Sequence, residues 1–392
     1  MFALIWSACI FTLPAQSPDS VNNPARLVKN PGTTEQYSSV SRKFTGIPSL
    51  AVTDQGRLWA VWYAGITPAE DMNNYVVVAT SGDKGKTWEE VLAIDPDGPG
   101  VVRAFDPQAW IDPTGKLWIF WAQALSGEKG EHAGVWAITT DDANKDALLW
   151  SDPKRLADGV MMNKPTVLSG GEWLMPASTW NVAGSAKVVA STDSGQTWEV
   201  RGGADIPEAE RTFDEHMIVE KKDGSLWMLV RTKYGIGESF SKDKGFTWSP
   251  VTRSKFEHPT ARFFIRRLNS GNLLLVKHGP VGKKTGRSHL MASISKDDGE
   301  TWSKGLLLDE RRVVSYPDGQ QMKDGTICIV YDFNRTKDQT IAMTRFTEND
   351  VLADDYDVRM VEVFGQRKVV SRGGIPEDPK PPAVPPVPQT KP

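Results

Sequence analysis

The chain has 392 residues, including 34 glycines, 26 prolines and 15 tryptophans, and its 46 basic and 49 acidic side chains give a formal net charge of −3. Many turn-forming residues and large flat side chains favour short strands and exclude a helical bundle. The balanced charge provides no basic field that would attract nucleic acid. With 39% hydrophobic residues the chain can bury a core, which excludes disorder along its main part.

The two ends of the chain differ in composition from the main part. Residues 2–13 are apolar and precede a small-residue segment, which predicts a signal peptide over residues 1–16 and a secreted or periplasmic protein. Lipid attachment at Cys9 is the alternative, and the apolar run is too short to span a bilayer. Cys328 lies in an apolar run, so we expect no disulfide in the mature chain. Residues 376–392 contain eight prolines and predict a disordered tail.

Between these ends, two short patterns alternate along the chain. The pattern Ser-x-Asp-x-Gly-x-Thr-Trp occurs four times, starting at Ser81, Ser191, Ser241 and Ser295. A turn glycine followed by an apolar run occurs six times, at Gly56, Gly115, Gly171, Gly224, Gly271 and Gly325. Each unit is predicted to contain four antiparallel strands, with the Ser-x-Asp pattern as a structural turn. Six such units predict an all-β, six-bladed β-propeller over residues 42–365.

In a propeller blade, the start of the first strand, the end of the second and the start of the third meet at one rim, where ligand sites gather. The repeat register therefore predicts the residues of this rim before any function is considered. It contains these positions: Gly46, Asp106, Lys164, Glu215, Arg262, Tyr316, Tyr63, Gln123, Trp180, Arg231, His278, Asp332, Asp71 and Arg287. Carboxylates and arginines are concentrated in this set, which predicts a polar binding site.

The turns, the six-fold register and this rim together resemble the sialidase (neuraminidase) superfamily of six-bladed glycoside hydrolases, in which such turns are called Asp boxes. The resemblance implies that Tyr316, in Ser315-Tyr316-Pro317-Asp318-Gly319, is the nucleophile. It implies that Glu215 is the base that activates this tyrosine. It also implies that Asp71 is the acid/base, with Glu70 as the alternative.

The resemblance further implies a clamp of three arginines for a substrate carboxylate. Arg231 and Arg287 match two of them. The segment expected to carry the first arginine reads Phe44-Thr45-Gly46-Ile47-Pro48, so a glycine stands in its place. We expect Arg262 to substitute for the missing arginine, with Arg42 and Arg103 as further candidates.

Three more rim residues, and one residue beside the rim, are expected to contact the substrate: Asp106, Lys164, Asp332 and, next to Glu215, His216. Their side chains suit the hydroxyl groups of a sugar. The histidines near the rim match no standard metal-binding spacing, so no metal and no cofactor are expected.

A tyrosine nucleophile suits a sugar with a carboxylate on its anomeric carbon, because a neutral phenol avoids the repulsion that an anionic nucleophile would meet. The resemblance therefore implies an exo-acting, retaining sialidase with a glycan or glycoconjugate substrate, and we expect a monomer. Two alternatives remain open. One is a glycosidase of the same fold that acts on a different sugar because of Gly46, and the other is a non-catalytic glycan-binding propeller.

Overall fold

The computed structural model describes residues 18–127, 132–145, 148–353 and 355–374. The predicted signal peptide and the predicted proline-rich tail lie outside the described residues. The chain forms six antiparallel sheets, which follow one another in sequence and form six blades of a propeller. The predicted all-β, six-bladed architecture is confirmed.

The strands are named in chain order. The first blade contains β1 (Arg26–Lys29), β2 (Phe44–Val52), β3 (Leu58–Gly65), β4 (Asn74–Ser81) and β5 (Glu89–Asp95). The second contains β6 (Val102–Ile111), β7 (Leu117–Leu125), β8 (Gly134–Thr140) and β9 (Lys154–Asp158). The third contains β10 (Val160–Met161), β11 (Thr166–Val167), β12 (Trp173–Ser178), β13 (Ala186–Ser191) and β14 (Glu199–Ala204).

The fourth blade contains β15 (His216–Glu220), β16 (Leu226–Thr232), β17 (Gly235–Ser241) and β18 (Thr252–Arg253). The fifth contains β19 (Phe264–Arg267), β20 (Leu273–His278), β21 (Ser288–Ser295) and β22 (Leu306–Arg312). The sixth contains β23 (Val314–Gln321), β24 (Ile327–Phe333), β25 (Thr340–Phe346) and β26 (Lys368–Arg372), with helices α1 (Glu348–Leu352) and α2 (Tyr356–Gly365) between its last two strands.

Two of these strands lie beyond the predicted range of residues 42–365. Strand β1 pairs with β5 at the outer edge of the first blade, and β26 pairs with β25 in the last blade. The first and the last blade therefore each contain an added strand that no turn motif in the sequence indicates. Among the described residues, no helix combines the length and the apolar composition needed to cross a membrane.

The core lies between neighbouring blades, where the tryptophans pack. Trp59, Trp62 and Trp121 are fully buried. The rings of Trp110 in β6 and Trp173 in β12 meet edge to face at 4.9 Å, which joins the second and third blades. Edge-to-face packing of this kind stabilises a core beyond the area it buries.

Each of the four Ser-x-Asp turns joins the last two strands of its blade in chain order. In the turn after β13, Asp193 accepts hydrogen bonds from the backbone and hydroxyl of Thr197 and from Ser191. These bonds, those of Thr197 first, lower the pKa of Asp193 to about 2. The turns lie at the edge of the sheets opposite to the start of the innermost strands, so they build the blades and take no part in the rim.

Three of the innermost strands carry the same irregularity near their start. The register of β2, β6 and β23 shifts around Ile47, Asp106 and Tyr316, and each of these residues precedes a proline and has a positive φ of 58°, 48° and 52° respectively. A bulge tolerates a proline, which cannot donate to the sheet, and redirects the residue beside it. This repeated bulge turns three side chains toward the end of the central channel.

Candidate active site

A polar cavity of about 370 Å³ opens where these bulges meet. All six blades contribute to its wall, which contains Ile47, Glu70, Arg103, Phe105, Asp106, Gly127, Trp180, Asn181, Phe213, Glu215, Arg231, Arg287, Tyr316 and Arg335. This cavity lies at the end of the propeller where the repeat register places the rim. Five of the residues singled out from the sequence as site residues lie in this wall, namely Tyr316, Glu215, Arg231, Arg287 and Asp106.

Tyr316 and Glu215 form a hydrogen-bonded pair in the cavity wall. The phenol hydroxyl donates to Oε1 of Glu215 at 3.0 Å, and both groups are buried. Nη1 of Arg231 donates to the same Oε1 at 2.8 Å and to the phenol oxygen at 3.2 Å. Burial, followed by the charge of Glu215, raises the pKa of Tyr316 to about 12. The phenol is therefore protonated at neutral pH, and Glu215 is placed to accept its proton as the oxygen reacts.

Strand pairing holds this arrangement in place. Glu215 directly precedes β15 and Arg231 lies in β16, and the backbone N–H of Arg231 donates to the carbonyl of Glu215 at 2.8 Å. Tyr316 comes from the sixth blade. The pair therefore forms only when the ring of blades is complete.

Two further carboxyl groups line the cavity. Glu70, in the loop between β3 and β4, is half exposed, and its Oε1 lies 3.3 Å from Nη1 of Arg335. Asp106 is buried, and burial, followed by the charge of Glu70, raises its pKa to about 7. At neutral pH a large share of Asp106 is therefore protonated and able to donate a hydrogen bond.

Asp71 does not line this cavity. Its carboxylate accepts hydrogen bonds from the hydroxyl of Thr67 and from the backbone and side chain of Asn73, all in its own loop. These bonds lower the pKa of Asp71 although burial acts in the opposite direction. The structure places Glu70, the alternative acid/base, at the cavity.

Arginines surround the tyrosine ring on several sides. The guanidinium carbons of Arg287 and Arg335 lie 5.8 and 4.3 Å from the ring centroid of Tyr316. Nη1 of Arg287 donates to the hydroxyl of Ser315 at 3.1 Å. Arg103 lies over the ring of Phe105 at 4.1 Å and donates to the backbone carbonyl of Glu70. Four guanidinium groups thus face three carboxyl groups, so the cavity favours an anionic ligand.

One side of the cavity is aromatic. Trp180 and Phe213 meet edge to face at 5.3 Å, and Phe105 lies 6.1 Å from Trp180. Phe213 remains 45% exposed, although a residue of this kind is usually buried. An exposed aromatic face beside polar groups suits the apolar face of a sugar ring.

Four of the residues predicted to bind substrate lie outside the cavity wall: Arg262, Lys164, Asp332 and His216. Arg262 is fully buried behind the ring of Tyr316 and bonds to Gln108, so it does not occupy the space beside Gly46. Lys164 lies in the central channel in an ion pair with Asp318.

The other two residues hold the wall from behind. Asp332 accepts from the backbone N–H of Ile47 and from Nε of Arg335, both at 2.9 Å. His216 is buried between the carbonyl of Lys187 and the hydroxyl of Ser178, and burial lowers its pKa to about 4. A neutral, buried His216 supports β15 and does not face the ligand.

Two residues of the cavity wall, Arg335 and Phe213, do not stand out in the sequence. Arg335 follows β24 by two residues and reaches the cavity through its long side chain. The available signal was Gly46, because a glycine where a side chain is expected indicates that another group fills the space. Phe213 had no comparable signal. Among the described residues, no three histidine, cysteine or acidic side chains are arranged to hold a metal ion.

The fold and the cavity together define a propeller of the sialidase-like glycosidase type. Residues 102–329 match the BNR repeat-like domain, and the chain belongs to this family. A sialidase of Paraclostridium sordellii is 25% identical in an alignment 285 residues long, which covers 63% of this chain and 67% of that protein.

Solved structures show the same fold. The Hadza microbial sialidase Hz136 is 19% identical, with a TM-score of 0.64 over 83% of this chain and 69% of that one. An α-L-arabinanase of Penicillium chrysogenum is 14% identical, with a TM-score of 0.56 over 84% of this chain and 99% of that one. The fold is thus found in glycosidases that act on different sugars.

Proposed function

We propose that this protein is a retaining exo-sialidase that removes terminal sialic acid from glycans. The hydrogen-bonded group of Tyr316, Glu215 and Arg231 in the cavity wall carries this proposal. A phenol with a raised pKa is a poor nucleophile alone, and a buried carboxylate at hydrogen-bond distance is the base that it needs. Tyr331 also donates to a carboxylate, but Tyr316 differs from it because its pair lines the cavity and contacts the guanidinium of Arg231.

In the proposed reaction, Tyr316 attacks the anomeric carbon of the sugar while its proton moves to Glu215. Arg231, which contacts both atoms that share this proton, stabilises the negative charge on them. Glu70 protonates the leaving oxygen and then activates the water that releases the sugar, so the configuration is retained. Partial exposure of Glu70 allows it to exchange protons with water in each cycle. Protonated Asp106 donates to a sugar hydroxyl.

The first test measures release of a fluorogenic aryl group from an α-sialoside. Glu215→Gln is expected to reduce kcat by about 10²- to 10⁴-fold, the range for loss of a general base. Tyr316→Phe is expected to reduce it by about 10³-fold or more. Tyr331→Phe is the matched control, because Tyr331 is also buried and donates to a carboxylate, Asp309, at 2.9 Å outside the cavity. Full activity in Tyr316→Phe would contradict the nucleophile assignment.

The second test separates the two candidate acids. Glu70→Gln is expected to slow hydrolysis of a sialoside with a poor leaving group much more than that of an activated aryl sialoside, because only the former needs protonation. Asp71→Asn should affect both substrates equally and weakly. The opposite pattern would assign the role to Asp71. The anomer formed first, observed by NMR, reports whether configuration is retained.

A glycosidase that acts on another sugar is the second candidate, favoured by Gly46 and by the arabinanase that shares the fold. A panel of aryl glycosides separates the two. Turnover of an aryl uronide or a neutral sugar, without turnover of sialosides, would establish the second candidate. Binding of glycans without hydrolysis of any of them would instead indicate a glycan-binding protein.

A further inference from the structure

Gly46 and Arg335 compete for one volume at the edge of the cavity. A Cβ atom built on Gly46 would lie 2.6 Å from Cδ and 2.7 Å from Cγ of Arg335, closer than real Cβ contacts allow. The backbone of Gly46 does not have a positive φ, so its conformation would accept other residues. The side chain of Arg335 therefore explains the glycine, and only one of the two positions can carry a long side chain.

Arg335 is held firmly while part of its guanidinium stays unpaired. Nε donates to Asp332, which also accepts from Ile47, and the backbone carbonyl of Arg335 accepts from Thr45 at 3.0 Å. Nη2 is buried and has no hydrogen-bond partner among the described residues. In the part of the chain that the structure describes, Nη1 donates only to Glu70, at 3.3 Å. A buried donor without a partner is costly, so this group is placed to receive an acceptor from a ligand.

We propose that Arg335 is a specificity-determining residue that binds the substrate carboxylate together with Arg231 and Arg287, from the last blade across the space left by Gly46. The proposal rests on the proposed function of this cavity. The carboxylate of Glu70 lies 3.3 Å from Nη1 of Arg335. The substrate carboxylate displaces it and thereby frees Glu70 for the leaving oxygen.

The test compares an α-sialoside with its carboxamide analogue, which has the same shape without the charge. Arg335→Ala is expected to lower kcat/KM for the sialoside by about 10- to 100-fold, the range for loss of a charge-assisted hydrogen bond. Its kcat/KM for the carboxamide should change much less. Arg335→Lys keeps the charge but loses the planar guanidinium that can bind both carboxylate oxygens. Its kcat/KM for the sialoside should therefore lie between those of the wild type and Arg335→Ala. Arg155→Ala removes a surface arginine paired with Asp158 and serves as the control.

An exchange of the two positions tests the shared volume. Gly46→Arg alone should lower activity, because its side chain displaces Arg335. The double variant Gly46→Arg/Arg335→Gly should recover at least about tenfold over Arg335→Gly, since the guanidinium returns from the other strand. If the double variant fails to fold, as judged by thermal unfolding, the comparison of Arg335→Lys with Arg335→Ala on the two substrates still decides the proposal.

The experiments give different results if Arg335 does not bind the carboxylate and if the protein is not a sialidase. If the wild type hydrolyses sialosides and Arg335→Ala retains the full preference for the sialoside over the carboxamide, Arg335 is not a carboxylate ligand. If the wild type hydrolyses no sialoside, calorimetric titration with N-acetylneuraminic acid decides. Binding that is lost in Arg335→Ala supports the inference without the catalytic proposal. Binding that is unchanged, or absent in the wild type, overturns the inference.

Discussion

At the scale of single residues, burial gives each group of the cavity a different protonation state. Tyr316 and Asp106 both face the cavity from a bulge, and burial raises the pKa of each, to about 12 and about 7 respectively. The tyrosine therefore stays protonated until Glu215 accepts its proton, whereas Asp106 changes charge near neutral pH. Raised pKa values of this kind are common at functional sites, because a catalytic or binding group needs the protonation state that its reaction or ligand requires.

The raised pKa of Asp106 predicts a pH dependence of stability. Its pKa is about 7 in the folded protein and near 3.8 in the unfolded chain, so the folded state retains a proton that the unfolded state releases between these values. The stabilisation that Asp106 contributes is fully present below about pH 4 and is lost as pH rises through about 7. Glu70, Glu215 and Arg103 face the group and set its value together with burial.

Asp106→Asn should remove this dependence, because an amide does not ionise. As pH rises from 4 to 8, the free energy of unfolding of the variant should increase relative to that of the wild type by up to about 4 kcal/mol, because each unit of pKa shift corresponds to about 1.4 kcal/mol. Urea unfolding of both proteins across this range measures the difference. Parallel stability curves would show that Asp106 is ionised in the folded protein throughout.

At the scale of elements, each blade separates its functional edge from its structural edge. The bulges of β2, β6 and β23 turn side chains into the cavity, and the Ser-x-Asp turns close the opposite edge. In these turns Gly195 has a φ of 83° and lies against the rings of Trp118 and Trp173. The turn glycine therefore serves both the backbone conformation and the packing between blades.

A pair of glycine substitutions separates these two contributions. Gly171→Ala changes a turn with a φ of 88° and open space around the new methyl group, and should cost about 1 kcal/mol of backbone strain. Gly195→Ala has the same strain but places its methyl group 2.8 Å from both tryptophan rings, and should cost about 1–3 kcal/mol more. Urea unfolding measures both. Equal losses would show that the rings move aside, and kcat/KM should be unchanged in both variants.

At the scale of the whole molecule, side chains of the last blade close the ring onto the first. Asp318 in β23 accepts from the hydroxyl of Ser49 at 2.6 Å and from the backbone of Leu50 at 2.9 Å. Gln320 exchanges two bonds of 2.9 Å with the backbone of Val52. Asp318 also pairs with Lys164 in the channel. Ring closure thus relies on a buried charge as well as on apolar packing.

Asp318→Asn tests the contribution of this charge. The amide can still accept hydrogen bonds, but Lys164 and Arg262 lose their buried counter-charge, so we expect a loss of about 3–5 kcal/mol. Gln320→Ala, which removes neutral bonds of the same closure, should cost only about 1–2 kcal/mol.

Adding Lys164→Met to Asp318→Asn should restore part of the loss, because one uncompensated charge is then removed. Urea unfolding of the single and double variants measures this recovery. A double variant as unstable as the sum of its single changes would contradict the electrostatic explanation.

How far the site could be predicted depended on the kind of signal each residue leaves in the sequence. Five residues lie at repeat positions that open onto the cavity, so the repeat register was enough to single them out: Glu215, Arg231, Arg287, Asp106 and Tyr316. His216 occupies the next position along from Glu215, where the alternation of a strand turns its side chain away from the cavity. The acid/base is harder to predict, because Glu70 and Asp71 are adjacent in a loop and only the local bonds to Thr67 and Asn73 separate them.

The architecture can be predicted from the sequence alone, because the signals that specify it are local. A turn glycine, a Ser-x-Asp turn and an apolar run each act within a few residues, and six copies of them specify six blades. Which groups meet in the cavity depends instead on how the blades pack against one another. The groups that meet come from three blades: Glu215 from the fourth, Tyr316 and Arg335 from the last, and Gly46 from the first. Their contacts form only when the ring of blades closes. No local pattern records that Arg335 fills the space beside Gly46, since shared volume between distant segments exists only after the blades have packed.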